Sequence, residues 1–240
     1  MLAVMNKKDP MLEARLAQAL QSLQALARPE QLAGLARFGL VGEGRLGLSM
    51  PQLRALGREL GRDHELALAL WDSGIPDAQI LAGLLADPAA LTVAQMNHWV
   101  RGMAAWDVCD QCCLNALRKS PLAWARVPVW ARSRHEFTRR AAFALIAVLA
   151  VHDKARPDQD FAAWLPLIEA VAVDDERNFV KKAVSWALRQ IGKRAPALRL
   201  QALASAERLA AQGSGAARWI AGDVRRELAQ RRSSGRGRMP

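Results

Sequence analysis

The chain has 240 residues, of which 51% are hydrophobic, and Ala and Leu dominate that fraction while Tyr is absent. This length suffices for one large domain or two small ones, and the bias toward strong helix formers predicts an all-α protein. The longest apolar stretch, residues 141–151, is too short for a membrane span, and residues 1–10 lack the apolar core of a signal peptide, so we expect a cytoplasmic protein without membrane contact.

The charge points to a polyanionic partner. The chain carries 34 basic and 23 acidic residues, for a net charge of +11. Removing residues 231–240 takes away four arginines and leaves +7, so the charge is not confined to the end of the chain. A cationic surface of this kind is typical of proteins that neutralise nucleic-acid phosphates.

A glycine-rich segment at residues 42–47 matches the pattern G-x-G-x-x-G. A dinucleotide-binding turn requires a strand before this pattern, inside a βαβ unit. The residues upstream have helical character instead, so we interpret the glycines as a loop between two helices.

Start and stop signals of helices recur along the whole chain. Ser49 precedes Pro51 at one predicted helix entrance, and Thr92 forms a capping box with Gln95 at another. The Asp–Pro pair at 87–88 indicates a break between helices. The pattern predicts about a dozen helices of roughly 10 to 18 residues and no strand.

Trp106 and Asp110 form the first candidate site. On a helix they share a face because they lie four residues apart, and Asp107 lies beside Asp110. A carboxylate next to an aromatic wall can stabilise a positive charge and orient a water molecule. The alternative is that Trp106 belongs to the core and that both aspartates are solvated or cap helices.

Cys109, Cys112 and Cys113 are clustered and odd in number, which excludes a disulfide framework. A zinc or redox site is an alternative, but no second Cys pair supplies the four ligands of a structural zinc site. We therefore expect buried helical residues in a reducing compartment, with no metal and no cofactor.

An internal repeat supports a specific architecture. The sequence FTRRA at 137–141 recurs as FVKKA at 179–183, at an offset of 42 residues. This period is typical of helical hairpins of the HEAT or armadillo kind, so we expect a curved solenoid of such repeats in preference to a compact bundle. The predicted organisation is a flexible N-terminus over 1–10, one HEAT-like repeat domain over 11–230 and a disordered basic tail over 231–240.

The predicted helix after residue 178 has two faces. Its buried stripe consists of Val180, Ala183, Val184, Ala187, Leu188 and Ile191. Its second stripe, at spacings of 4, 3 and 4, consists of Lys182, Trp186, Arg189 and Lys193. A Trp among three cations is poor core material, so we predict that this stripe faces DNA. A solvated face with a partly covered Trp is the alternative.

Taken together, the chain resembles the DNA alkylation repair glycosylases built from HEAT-like repeats. The segments that carry the resemblance occur in the family's order across roughly residues 12–230. They are GLSMPQLR at 47–54, LWD at 70–72, WDVCD at 106–110, FTRRAA at 137–142 and residues 179–189. The resemblance implies hydrolysis of the N-glycosidic bond of cationic N3- or N7-alkylated purines in duplex DNA.

The resemblance also implies roles for individual residues. Asp110 falls on the catalytic carboxylate, Trp106 and Trp186 fall on the aromatic walls beside the nucleotide's sugar, and Arg140 falls on a phosphate contact. The internal repeat pairs Arg140 with Lys182. No Lys is assigned as a Schiff-base nucleophile, so a monofunctional glycosylase is expected. The expected partner is double-stranded DNA that contains alkylated bases, and the expected state is a monomer.

A second hypothesis remains. A non-catalytic HEAT-like scaffold that binds nucleic acid or acidic partners would share the charge and the helical pattern. It predicts that no base is released from methylated DNA and that Asp110→Asn is tolerated.

Overall fold

Amphipathic repeats and capping residues produce a chain of helices, as the sequence predicts. In the computed structural model, which describes residues 9–230, the regular structure consists of α-helices and short 3-10 turns, with no strand in that range. The all-α prediction is confirmed. The predicted basic tail and nearly all of the predicted flexible N-terminus lie outside the described residues. Between residues 9 and 230, no helix combines the length and apolarity needed to cross a bilayer.

The chain divides into two compact units, which we call unit 1 and unit 2, with the boundary between Pro121 and Leu122. Each unit has its own set of buried apolar side chains. The single domain expected over 11–230 stays a prediction.

Between residue 9 and the end of unit 1 there are seven α-helices, with 3-10 turns at Pro29–Gln31 and Leu117–Lys119. The helices are α1 (Pro10–Ala25), α2 (Leu32–Ala36), α3 (Met50–Leu60), α4 (His64–Asp72), α5 (Pro76–Leu85), α6 (Val93–Gly102) and α7 (Trp106–Asn115). Helix α5 is central because α3, α4 and α7 all pack against it. Its residues are buried almost without exception, so it has no polar face.

The helix starts of unit 1 follow the predicted capping signals. The N–H of Ser49 donates to Oε1 of Gln52 over 3.0 Å at the start of α3. At the start of α6, the N–H of Thr92 donates to Oε1 of Gln95 over 2.8 Å, and the N–H of Gln95 donates to Oγ1 of Thr92 over 3.2 Å. These bonds satisfy N–H groups that have no partner inside a helix.

The part of unit 2 that the structure describes, up to residue 230, contains seven further helices. They are α8 (Ala123–Ala131), α9 (Glu136–His152), α10 (Asp158–Ala162), α11 (Leu165–Asp174), α12 (Asn178–Arg194), α13 (Pro196–Ala210) and α14 (Gly215–Gln230). The most extensive packing in this unit is between α9 and α12. Helix α9 is buried along nearly all of its length, so it forms the core of unit 2.

The internal repeat corresponds to two equivalent helices. Helices α9 and α12 both have 17 residues, and both of their ends are related by the offset seen in the sequence. The equivalent residues Phe137 and Phe179 meet across the helix pair, with ring centroids 5.5 Å apart. The predicted buried stripe of α12 is confirmed, because every member of it is at most 1% exposed.

Arg194 ties the end of α12 to the end of α9. Its guanidinium donates to the carbonyl oxygens of Ala150 (3.1 Å) and Asp153 (2.7 Å) and lies 4.1 Å from the ring centroid of Phe161. Carbonyl groups in the last turn of a helix have no partner inside it, so an arginine that reaches them stabilises the helix end. This contact orients α12, which carries Trp186.

Candidate active site and nucleic-acid interface

Trp106 and Asp110 lie on one face of α7, as the spacing predicts. Trp106 is the first residue of the helix, and Asp110 follows one turn later. Both side chains are half-buried. The indole Nε1–H of Trp106 donates to the carbonyl oxygen of Phe38 over 2.9 Å, which fixes the orientation of the ring. This bond uses the only polar atom of the indole.

Asp107, three residues before Asp110, is held in an ion pair. Asp107 binds Arg45 through both carboxylate oxygens, at 2.7 and 3.0 Å, and also accepts the N–H of Val108 at 2.9 Å. The side chains of Arg45 and Asp107 are only 6% and 16% exposed. Asp107 is therefore committed to an ion pair within unit 1. The catalytic role of Asp110 stays a prediction.

The partner of Asp107 comes from the glycine-rich segment. This segment lies in the loop of residues 37–49 between α2 and α3, as predicted, and is not preceded by a strand. Gly44 and Gly47 have φ values of 70° and 81°, which side chains with a Cβ rarely adopt. A Cβ on Gly47 would lie 2.6 Å from the carbonyl oxygen of Arg28. The glycines are thus required by the path of the loop and by close packing against the chain before α2.

A buried carboxylate also binds the backbone of the same loop. Asp77, in the first turn of α5, is 1% exposed. Its two oxygens accept the backbone N–H groups of Leu46 at 2.8 Å and Leu48 at 2.9 Å. Since a buried carboxylate needs hydrogen-bond donors, Asp77 and the loop stabilise each other. Neither Asp77 nor Arg45 could be identified from the sequence alone, because their partners are 29 to 62 residues away in the chain.

The loop also presents apolar side chains to solvent. Phe38 is 72% exposed and Val41 is 60% exposed. Val41 lines a shallow cavity of about 350 Å³ together with Leu32 and Leu40. The one feature of the sequence that indicates this surface is an aromatic residue, Phe38, outside any helical apolar stripe.

A group of cations in unit 1 includes Arg118 and Lys119, which lie in the 3-10 turn after α7. Burial lowers the pKa of Lys119, and the positive charges of Arg118 and Arg62 lower it further. Arg62 also lies 3.7 Å from the carboxylate of Asp87, so Arg118 and Lys119 contribute most of the net positive charge of this cluster. The cluster draws on two distant segments, so no local pattern predicted it.

The cysteines of α7 are buried residues, as predicted. All three are fully inaccessible. Burial raises the pKa of the Cys112 thiol well above its ordinary value, and a hydrogen bond with Cys109 together with burial does the same for Cys113. A raised pKa favours the protonated thiol, so Cys112 and Cys113 lack the thiolate character of reactive cysteines. Within the described residues, no group of three or more His, Cys, Asp or Glu side chains could hold a metal ion.

The second predicted stripe, on α12 of unit 2, divides into two parts. Lys182 is exposed and Trp186 is half-buried. Arg189 instead lies 3.3 Å from the carboxylate of Asp223 and also pairs with Glu227, and Lys193 pairs with the same Glu227.

The ion pairs correct the expectation that the whole stripe forms an open cationic surface. Asp223 and Glu227 belong to α14, which packs along α12. Their carboxylates neutralise the charges of Arg189 and Lys193 within unit 2. The spacing on α12 could not reveal this, because the acids lie more than 30 residues later. DNA contacts by these two residues stay a prediction.

Arg140 is placed inside unit 2. It is 5% exposed, and its Nη1 donates to the carbonyl oxygen of Phe179 over 2.7 Å. Its neighbour Arg139 pairs with Asp175 at 2.9 Å and with Asp174 at 3.2 Å. The observed role of Arg140 is thus to join α9 to the first turn of α12, and its phosphate contact stays a prediction.

A charged cluster precedes α12. Asp175 is 4% exposed and accepts hydrogen bonds from Arg177 and Arg139. Burial acts to raise the pKa of Asp175, but these hydrogen bonds outweigh it and hold the pKa below its ordinary value. The hydrogen bond with Asp175 in turn raises the pKa of Arg177. The cluster fixes the entry into α12.

Comparisons with known proteins agree with this architecture. The model of a family described as DNA alkylation repair enzyme matches residues 19–220. A solved structure described as "a new family of proteins related to the HEAT-like repeat DNA glycosylases with affinity for branched DNA structures" is similar to this chain, with a TM-score of 0.72 and 19% sequence identity. The likeness covers 88% of this chain and 94% of that one, and it confirms the HEAT-like fold class. No curated protein matches the chain by sequence.

Proposed function

Because the chain belongs to the family of DNA alkylation repair enzymes, we propose that it is a monofunctional DNA glycosylase acting on cationic N3- or N7-alkylated purines in duplex DNA. The observation that carries the proposal is the arrangement on α7. There a half-buried carboxylate, Asp110, lies one turn from an indole, Trp106, whose ring is held by a hydrogen bond to Phe38. The neighbouring Asp107 is neutralised by Arg45.

The chemistry required of these residues is limited. An alkylated purine is cationic and leaves with the electrons of the glycosidic bond, so no protein acid has to protonate it. The oxygen of a water molecule forms the new bond to C1′, and a proton of that water is released. Positive charge develops on the sugar meanwhile, and the Asp110 carboxylate stabilises it and orients the water. Trp106 adds cation–π attraction of about 1–2 kcal/mol at a desolvated site.

Binding to DNA is proposed to rest on cations that neutralise phosphates. Lys182 is exposed on α12, next to the half-buried Trp186. The cluster at Lys119 offers a further positive surface in unit 1. Each phosphate contact releases counterions, so the affinity for DNA falls as the salt concentration rises.

The test is release of 7-methylguanine from methylated duplex DNA by the wild type and by Asp110→Asn. Substitution removes the negative charge and preserves the shape, so we expect base release to fall by at least about 100-fold while DNA affinity is retained. Glu65→Gln is the matched control, because it neutralises an exposed carboxylate in the first turn of α4. Full activity of Asp110→Asn would remove Asp110 from the proposed mechanism.

A second candidate is a non-catalytic HEAT-like protein that binds DNA. The similar solved structure favours it, because the description of that protein names affinity for branched DNA. It predicts no base release by the wild type and tighter binding to a four-way junction than to a duplex of the same length. Both measurements use the intact chain, so one set of assays separates the two candidates.

A further inference from the structure

The loop of residues 37–49 is attached to the rest of unit 1 at several separate points. The carboxylate of Asp77 accepts two of its backbone N–H groups. The N–H of Arg28 donates to the carbonyl oxygen of Leu46 over 2.7 Å. Arg45 reaches from the same loop to Asp107. A loop held in this way behaves as a rigid element of the fold.

The indole of Trp106 depends on this loop. Its Nε1–H donates to the carbonyl oxygen of Phe38, near the start of the loop. Trp106 is the first residue of α7, so the hydrogen bond to Phe38 ties the start of this helix to the loop. The position of the ring is therefore set by where the loop lies relative to α7.

The pair of Arg45 and Asp107 connects the two elements directly. Asp107 is the residue after Trp106, and both of its carboxylate oxygens bind Arg45. Burying an arginine is costly unless an opposite charge compensates it, and for the buried Arg45 that charge is Asp107. The Nε of Arg45 has no hydrogen-bond partner among the described residues. A bidentate pair fixes both distance and orientation, which a single-point contact does not.

We propose that Arg45 and Asp107 are positioning residues, which hold the glycine-rich loop against α7 and thereby set the indole of Trp106. The effect on catalysis rests on the proposed function of Trp106, whereas the effect on the indole does not. The same role accounts for the glycines of the segment at 42–47, which is not preceded by the strand of a dinucleotide-binding unit. Its backbone has to bring Arg45 to Asp107 while passing close to Arg28.

The test has two readouts in the intact chain. The first is solvent exchange of the Trp106 indole N–H, followed by NMR on ¹⁵N-labelled protein and assigned by the loss of its signal in Trp106→Phe. The second is the separation of kcat from KM for release of 7-methylguanine. In Asp107→Asn we expect indole exchange to be faster by about tenfold or more and kcat to fall by about 10- to 100-fold, with KM within about twofold.

Two further variants sharpen the test. Arg45→Lys keeps the charge but cannot bind both oxygens, so we expect an intermediate effect on both readouts. Arg58→Lys, on the exposed face of α3, is the matched control and should change neither. If Asp107→Asn does not fold, Gly44→Ala takes its place. It strains a residue at positive φ without altering any charge, and we expect both readouts to change in the same direction.

Unchanged indole exchange and unchanged kcat in Asp107→Asn, or in Gly44→Ala if that variant is used, would overturn the proposal. Faster exchange in a protein whose wild type releases no base would retain the positioning role and reject the proposed function. A fall in kcat with unchanged indole exchange would also overturn it, because the effect on catalysis would then not pass through Trp106.

Discussion

Units 1 and 2 each carry a Trp that the sequence singled out, and they hold it by different means. In unit 1, Trp106 lies at a helix end, and its ring is bound by a loop that two carboxylates anchor. In unit 2, Trp186 lies in the middle of the 17-residue helix α12. The ends of that helix are tied down by the cluster at Asp175 and by Arg194.

This difference indicates which substitutions should displace each Trp. A helix packed along its length transmits little of a local change, because its backbone hydrogen bonds and its buried stripe determine the path of the chain. A loop without regular hydrogen bonding depends on a few side chains, so single substitutions can displace it. We therefore expect unit 1 to be affected most by changes in its loop, and unit 2 by changes in its ion pairs.

The largest effect is expected for Gly47→Ala in the loop of unit 1. The new Cβ would approach a backbone oxygen to 2.6 Å at a φ of 81°, so the loop must shift or strain. We expect the free energy of unfolding to fall by about 3 kcal/mol, measured by urea denaturation. Gly34→Ala is the control, since its Cβ meets nothing within 4 Å and should be neutral or stabilising. Equal stability of the two variants would contradict a rigid loop.

A smaller effect is expected for Asp175→Asn in unit 2, where hydrogen bonds from Arg139 and Arg177 lose a charged partner. We expect a loss of about 2 kcal/mol at pH 7. The pKa of Asp175 is lowered from about 3.8 in the folded state, so this stability is present above that value and is lost as the pH falls through the lower folded pKa. The difference in Tm between wild type and variant should therefore shrink as the pH falls below about 4. A difference independent of pH would show that the charge of Asp175 is not the cause.

The smallest effect on stability is expected for Glu227→Gln, which frees Arg189 and Lys193 from their shared carboxylate. Stability should fall by no more than about 1 kcal/mol, because the pair is partly exposed. Affinity for undamaged duplex DNA should rise by about fivefold, with a steeper dependence on salt. Glu207→Gln, which neutralises an exposed acid of α13, is the control for net charge. Unchanged affinity would argue against DNA contacts by these two cations.

Particular residues show which features of the structure can be predicted from the sequence alone. Capping pairs such as Thr92 with Gln95 were predicted, because a cap is made by residues a few positions apart. The equivalence of α9 and α12 was predicted from a short repeat, and the buried stripe of α12 from its periodicity. The pairing of Arg189 and Lys193 with α14 was not predicted. Helical spacing shows which residues share a face, but it does not show which other helix packs against that face.

The amino-acid sequence by itself determined the helices, their caps, the repeated hairpin and the family, since these depend on local periodicity and on the order of short segments. Only the tertiary structure decided which charges are neutralised and which loop holds Trp106. Ion pairs such as Arg45 with Asp107 join residues 62 positions apart, and folding alone brings them together. Electrostatic interactions act through distance in space, so the roles of individual charges in a chain of this kind are read from the fold.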